Sequence, residues 1–132
     1  MLKLKNDDYA VARVLLDSVL NKEGRVTYEE VAARVSVERG CSVNPHYGLS
    51  DSLGRVSELC CDLGLPMLSV TVIYKGISKK DKVAEGFYDK ACELRPEYIK
   101  MSPKEAWTTE LERMRKCTEW DRLIRYLEKV ER

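Results

Sequence analysis

Only one histidine, His46, occurs in the 132 residues, and that scarcity removes several kinds of site at once. A zinc centre would have to gather distant ligands, because no C-x-x-C pair accompanies the histidine. An HNH-type nuclease module is excluded for the same reason. Nor is there a Gly-rich phosphate loop, an H-E-x-x-H or a G-x-S-x-G, so catalysis is not expected and no cofactor is implied. Net charge is almost absent. With 23 basic and 22 acidic residues the balance is +1, which gives no global field for nucleic acid, so any such contact has to come from a local patch. Apolar runs stay well short of membrane length, and Met1 to Asp8 lacks the apolar core of a signal peptide. A cytoplasmic protein with no membrane partner is expected. The five cysteines, Cys41, Cys60, Cys61, Cys92 and Cys117, are odd in number. Thiols stay reduced in the cytosol, so they read as buried and unreactive rather than as a disulfide framework.

A chain of this length forms one domain with a core of its own. Tyr9 to Leu20 carries Val11, Val14, Leu15 and Val19 at helical spacing and ends in Asn21–Gly24. Thr27 and Glu30 form a capping box that opens a second helix, from Tyr28 to about Val37. A polar loop follows, longer than a tight helix-turn-helix has, and Asn44-Pro45 breaks the chain. Ser50 or Asp51 then caps a helix with Leu53, Val56, Leu59, Cys60 and Leu63 on one face, stopped by Gly64. Leu68 to Tyr74 is β-branched and aromatic and predicts a strand. Lys75 to Lys82 reads as a lysine-rich turn, and a helix near Asp89 to Leu94 stops before Pro96. Ser102-Pro103-Lys104-Glu105 starts a last helix that carries Trp107, Leu111, Met114, Leu123, Ile124, Leu127 and Val130. The expected class is α+β: a mostly helical, winged helix-turn-helix-like domain. Its core spans 1–100 with a small strand and wing element near 68–85, and a long C-terminal helix covers 102–132.

Four stretches carry a resemblance. Thr27-Tyr28-Glu29-Glu30-Val31-Ala32, Tyr47-Gly48-Leu49-Ser50-Asp51-Ser52-Leu53, Leu65-Pro66-Met67-Leu68-Ser69-Val70-Thr71 and Glu85-Gly86-Phe87-Tyr88 fall in that order. Together they resemble the DNA-binding domain of the O6-alkylguanine alkyltransferases and their catalytically dead relatives, the alkyltransferase-like proteins. The corresponding patterns there are T-Y-G-E-V-A, R-A-V-G-x-A-L, I-P-C-H-R-V-V and a glycine-rich segment. The likeness covers about half the chain. Where that family has its reactive cysteine this chain has Met67, where it has the neighbouring histidine this chain has Leu68, and its base-displacing arginine falls on Tyr47. The resemblance implies a winged-helix fold and binding of double-stranded DNA, with a modified or damaged base as the target in a defence or repair setting. It does not imply alkyl transfer.

The candidate contacts follow from these elements. Tyr28, at a helix start where free N–H groups favour a phosphate, is either a phosphate contact or a tyrosine covering the core edge. His46, Tyr47, Ser50, Ser52 and Arg55 sit at the start of the presumed recognition helix, where they either address base edges or simply form a turn. Lys75, Lys79, Lys80 and Lys82 would meet the phosphate backbone as a wing, or would be a solvated surface. Met67, Phe87 and Tyr88 are the residues on which the resemblance would build a base pocket, whereas Trp107 and Trp120 read as core. A second function class stands beside DNA binding: a protein-interaction module, such as a phage or host defence inhibitor or adaptor. It would meet a partner or a second copy through the wide apolar stripe of the C-terminal helix.

Overall fold

The computed structural model describes residues 4, 6–21, 26–40, 49–73 and 80–130. Six α-helices dominate these residues: α1 (Asn6–Leu20), α2 (Tyr28–Arg39), α3 (Leu49–Asp62), α4 (Lys80–Leu94), α5 (Pro103–Lys116) and α6 (Asp121–Val130). Two short 3-10 turns, Leu68–Thr71 and Pro96–Lys100, connect them. Helices α1 and α2 pack antiparallel. Arg13 reaches Glu38, while Arg34 donates to Ser18 one turn further along α1 at 3.0 Å. Helix α3 runs through the middle and packs on α1, on the first 3-10 turn and on α4. It buries Leu53, Val56, Leu59 and Cys60 as its spacing predicts, and also Ser52 and Ser57. No helix among the described residues is long and apolar enough to cross a membrane.

Three expectations about the elements need correction. The strand expected over Leu68–Tyr74 is a 3-10 turn up to Thr71, and only Val72–Ile73 is extended as β2. A strand turns alternate residues to opposite sides, but Met67, Leu68, Val70, Thr71 and Val72 are all buried, and the Thr71 hydroxyl donates to the Leu68 carbonyl at 2.9 Å. That side-chain bond competes with a ladder and tightens the chain into a turn. Strand β2 pairs in parallel with β1 (Val26–Thr27), Val26 opposite Val72 and Thr27 opposite Ile73. These four residues are the whole β component among the described residues, so the structure is mostly helical. No winged hairpin is formed by them.

Helix α4 begins at Lys80, nine residues before the expected start at Asp89, so Lys80 and Lys82 belong to a helix and not to a turn. Gly86 lies inside this helix, where a lone glycine costs only about 1 kcal/mol and need not end it. The long C-terminal helix is broken at Cys117–Trp120. Helix α5 buries Ala106, Glu110 and Met114, and continuing that stripe would turn Asp121 and Arg125 inward. The break resets the phase so that Trp120, Leu123 and Leu127 are buried instead.

Helix α3 ends as its sequence predicts, in a Schellman motif. Gly64 adopts φ 74°, its N–H donates to Cys61 O at 3.1 Å, and the Leu65 N–H donates to Cys60 O at 2.7 Å. A Cβ on Gly64 would also come within 3.2 Å of the Arg122 guanidinium, which donates to the Leu63 carbonyl at 3.2 Å and ties α6 to this corner. Gly64→Ala is therefore expected to lower stability by about 1–2 kcal/mol, the left-handed cost of an L residue, with a matching shift of the urea midpoint.

Candidate functional site

At the start of α2 the Thr27 hydroxyl oxygen accepts the Glu30 N–H at 3.1 Å and donates to the Glu30 carboxylate at 3.1 Å. Glu29 and Glu30 are exposed in that first turn, so two acids already complement the helix dipole. Tyr28 is the first residue of α2, but its side chain, like those of Ser50, Lys80 and Lys82, lies outside the described residues. His46, Tyr47, Lys75 and Lys79 lie outside them altogether.

The described members of the presumed reading helix face inward. Ser52 is buried, and Arg55 forms a fork on Asp8, its Nε 2.6 Å from Oδ2 and its Nη2 3.1 Å from Oδ1. Asp8 is wholly buried, and the hydrogen bond to it raises the Arg55 pKa further above its ordinary value. This guanidinium is committed to joining α1 and α3. Between Asp51 and Asp62 the only exposed residues of α3 are those two aspartates. A recognition helix needs donors on its outer side.

The residues expected around a base pocket are also placed. Met67 has no exposed surface and Phe87 is buried, both within the apolar core. Tyr88 is half-buried, and its hydroxyl donates to the Ile99 carbonyl at 3.2 Å. The position that resembles the reactive cysteine is thus filled core. Trp107 donates its indole N–H to Val70 O at 3.1 Å and Trp120 is buried, in line with the reading of both as core.

The sequence reading missed a buried carboxylate cluster beneath Met67. Glu110 has no exposed surface; its Oε2 accepts the Met67 N–H at 2.6 Å and its Oε1 accepts the Tyr98 hydroxyl at 2.5 Å. Arg95 stands 3.5 Å and Arg113 3.8 Å from the same Oε1. Arg95 also donates to Leu65 O at 2.9 Å, and Arg113 lies over the Tyr98 ring, 5.6 Å from its centre. Burial first, then the hydrogen bond to Glu110, holds the Tyr98 phenol well above its usual pKa. One signal for the cluster was legible: Glu110 sits midway between Ala106 and Met114 on the inward stripe of α5. The arrangement closes on itself, binding α5, the second 3-10 turn and the Leu65–Met67 segment together. Among the described residues no group of three His, Cys, Asp or Glu side chains is placed to hold a metal ion.

Cys60 is buried, and desolvation pushes its thiol up to about 12 from an ordinary 9. Native protein is therefore expected to leave Cys60 unlabelled by a thiol reagent until it is unfolded. The folded state holds the proton more tightly, so this stabilisation is complete below about pH 9 and is lost as pH rises towards 12.

What the N-terminal helices do present is acidic. The exposed charged residues described on α1, α2 and α3 are Asp7, Asp17, Glu29, Glu30, Glu38, Asp51 and Asp62, with no base among them. Arg13 and Arg34 are as exposed at their side chains as Glu38, 33% and 37% against 32%, and with Arg55 they face Glu38, Asp17 and Asp8. Over Asn6–Asp62 as a whole the sequence has ten acids against six bases, a net of −4. By contrast α5 and α6 interleave both signs, as in Arg115–Glu112, Arg122–Glu119 and Arg125–Asp121. On the outer side of α2, Glu30, Ala33, Val37 and Gly40 fall on one exposed stripe, with Val37 83% exposed. Comparison with known protein families, curated proteins and solved structures finds no match.

Proposed function

We propose that this chain is a non-catalytic interaction module that docks a protein partner on the outer face of α2. The observation that carries this reading is the stripe Glu30–Ala33–Val37–Gly40. A single exposed apolar side chain needs no explanation, but Val37 and Ala33 lie one turn apart on a helix whose inner face alone builds the core. The C-terminal stripe from which a partner surface was expected is spent internally on Leu111, Met114, Trp120, Leu123 and Leu127. A photo-cross-linking residue placed at Val37 or Ala33 is expected to trap a protein in the cells that carry this gene, and one at Glu128 to trap none. Equal trapping at all three positions, or none at any, contradicts the reading.

A second reading, binding of duplex DNA with or without a modified base, has one feature in its favour. The parallel pairing of β1 with β2 brings the start of α2 to the same edge as Ile73, which lies two residues before Lys75 in the sequence. Against it stand Glu29 and Glu30 at that edge, and Arg55, whose guanidinium is taken up by Asp8. This reading predicts salt-dependent duplex binding that weakens on Lys80→Gln or Lys82→Gln, with the log–log salt slope falling by about one per lost phosphate contact.

A further inference from the structure

We propose that α6 is exchanged between two copies of this chain: in a reciprocal dimer each copy lays its α6 on the other, and the break between α5 and α6 straightens into one helix. The break has no local cause. Helices α2 and α3 end in left-handed glycines, Gly40 and Gly64, and α4 stops before Pro96, whereas from Lys104 to Arg132 the sequence has neither glycine nor proline. Cys117 ends α5 in extended backbone, φ −70° and ψ 131°, with its N–H on the Met114 carbonyl at 3.2 Å. Among the described residues the Thr118 and Glu119 N–H groups have no backbone acceptor. A continuous helix would give them the carbonyls of Met114 and Arg115. What holds the break is the burial of Trp120, Leu123 and Leu127 and the Arg122 guanidinium on the Leu63 carbonyl at 3.2 Å. Among the described residues, that bond is the one polar contact of α6 beyond its own linker. All of these contacts are the same whichever copy supplies α6. Straightened, α5 and α6 form one helix from Pro103 to Val130, about 42 Å long at 1.5 Å per residue. Its last apolar residues then leave the Leu63 corner of their own copy, and the α6 of a second copy fits that surface side chain for side chain. Exchange conserves the closed contacts and adds helix across the hinge in both copies, against the entropy of association, so concentration sets the balance.

The full chain would be unfolded in urea, refolded at low and at high concentration, and weighed by light scattering on a size-exclusion column, alongside Thr118→Pro and Thr118→Ala. Thr118 is exposed, and Cys117 already has the extended conformation that a following proline requires, so Thr118→Pro fits the broken form and forbids the straight one. The wild-type chain is expected to give a monomer at low concentration and a mixture of monomer and dimer at high concentration. Thr118→Pro should raise the dimer dissociation constant at least about a hundredfold, and Thr118→Ala, the better helix former, should lower it about fivefold. A benzophenone side chain in place of Tyr126, half-buried on α6, should then couple two chains in the dimer fraction and stay within one chain in the monomer fraction. A monomer at every concentration, a dimer indifferent to both Thr118 variants, or a dimer whose cross-links from position 126 stay within one chain overturns the exchange. Should Thr118→Pro fail to fold, Thr118→Ala and the cross-link decide it.

Discussion

Glu110→Ala is expected to cost about 3–5 kcal/mol of folding free energy, the range for breaking a buried ion pair by removing one partner. The loss does not come from the Coulomb attraction alone. Removing the carboxylate strands the Met67 N–H and the Tyr98 hydroxyl and leaves Arg95 with the Leu65 carbonyl in place of a charged partner. The Arg95 Nε, which makes no hydrogen bond even in the intact cluster, would then lose its nearby negative charge as well. Glu110→Gln should be milder, because an amide oxygen still accepts from one donor while the charge facing Arg95 and Arg113 disappears. Tyr98→Phe should cost less again, since it removes one donor and leaves the carboxylate its other partners. Urea unfolding of the three variants, with an unchanged slope, would place them in that order. A Glu110→Ala loss under about 1 kcal/mol would show that the cluster relaxes freely and does not hold α5 to the Leu65–Met67 segment.

The second large effect is expected at Arg55. Arg55→Ala takes the guanidinium fork away from Asp8, a carboxylate with no exposed surface, at about 3–5 kcal/mol. Asp8→Ala should cost less, because the stranded Arg55 is partly exposed and can turn towards water. The two changes together should cost less than their sum, since both break the same ion pair. Arg55 was expected from the sequence to face a DNA groove, and the two roles separate experimentally. A structural Arg55 lowers the unfolding midpoint, whereas a phosphate contact lowers the salt slope of DNA binding without moving that midpoint.

Local signals were strong enough to define the N-terminal half of the fold. The Thr27–Glu30 capping box, the apolar spacing of α1 and α3 and the glycine that closes α3 are decided within a few residues, and each stands where the sequence puts it. The errors arose where tertiary contacts overrode local preference. Leu68–Thr71 is β-branched enough to read as a strand, but the burial of Leu68, Val70 and Thr71 together and the Thr71 hydroxyl make it a turn. The C-terminal stripe looked continuous until its phase was followed past Met114.

The candidate contact residues fared differently from the elements. Ser52 and Arg55 were chosen for what their side chains can do and Met67 for its place in the resemblance, and neither ground says which side of α3 or of the core a residue faces. Asp8 and Glu110 were assigned no role from the sequence, although both occupy apolar phases of their helices. An acid at an inward position is therefore the signal to search for next, together with the distant arginine that must answer it. The acidic outer surface was hidden for another reason: a whole-chain balance of +1 averages a net −4 over Asn6–Asp62 against the bases elsewhere.

Titration of fluorescent duplexes, unmodified and carrying methylated or alkylated bases, across a salt series tests most directly whether this surface serves a protein or a phosphate backbone. The account predicts no saturable binding of any duplex, even at low salt, because the exposed charges of α1–α3 repel phosphate and Arg55 is already paired. Saturable binding with a log–log slope of several phosphates, tightened by one modified base, would contradict it and would restore the DNA reading.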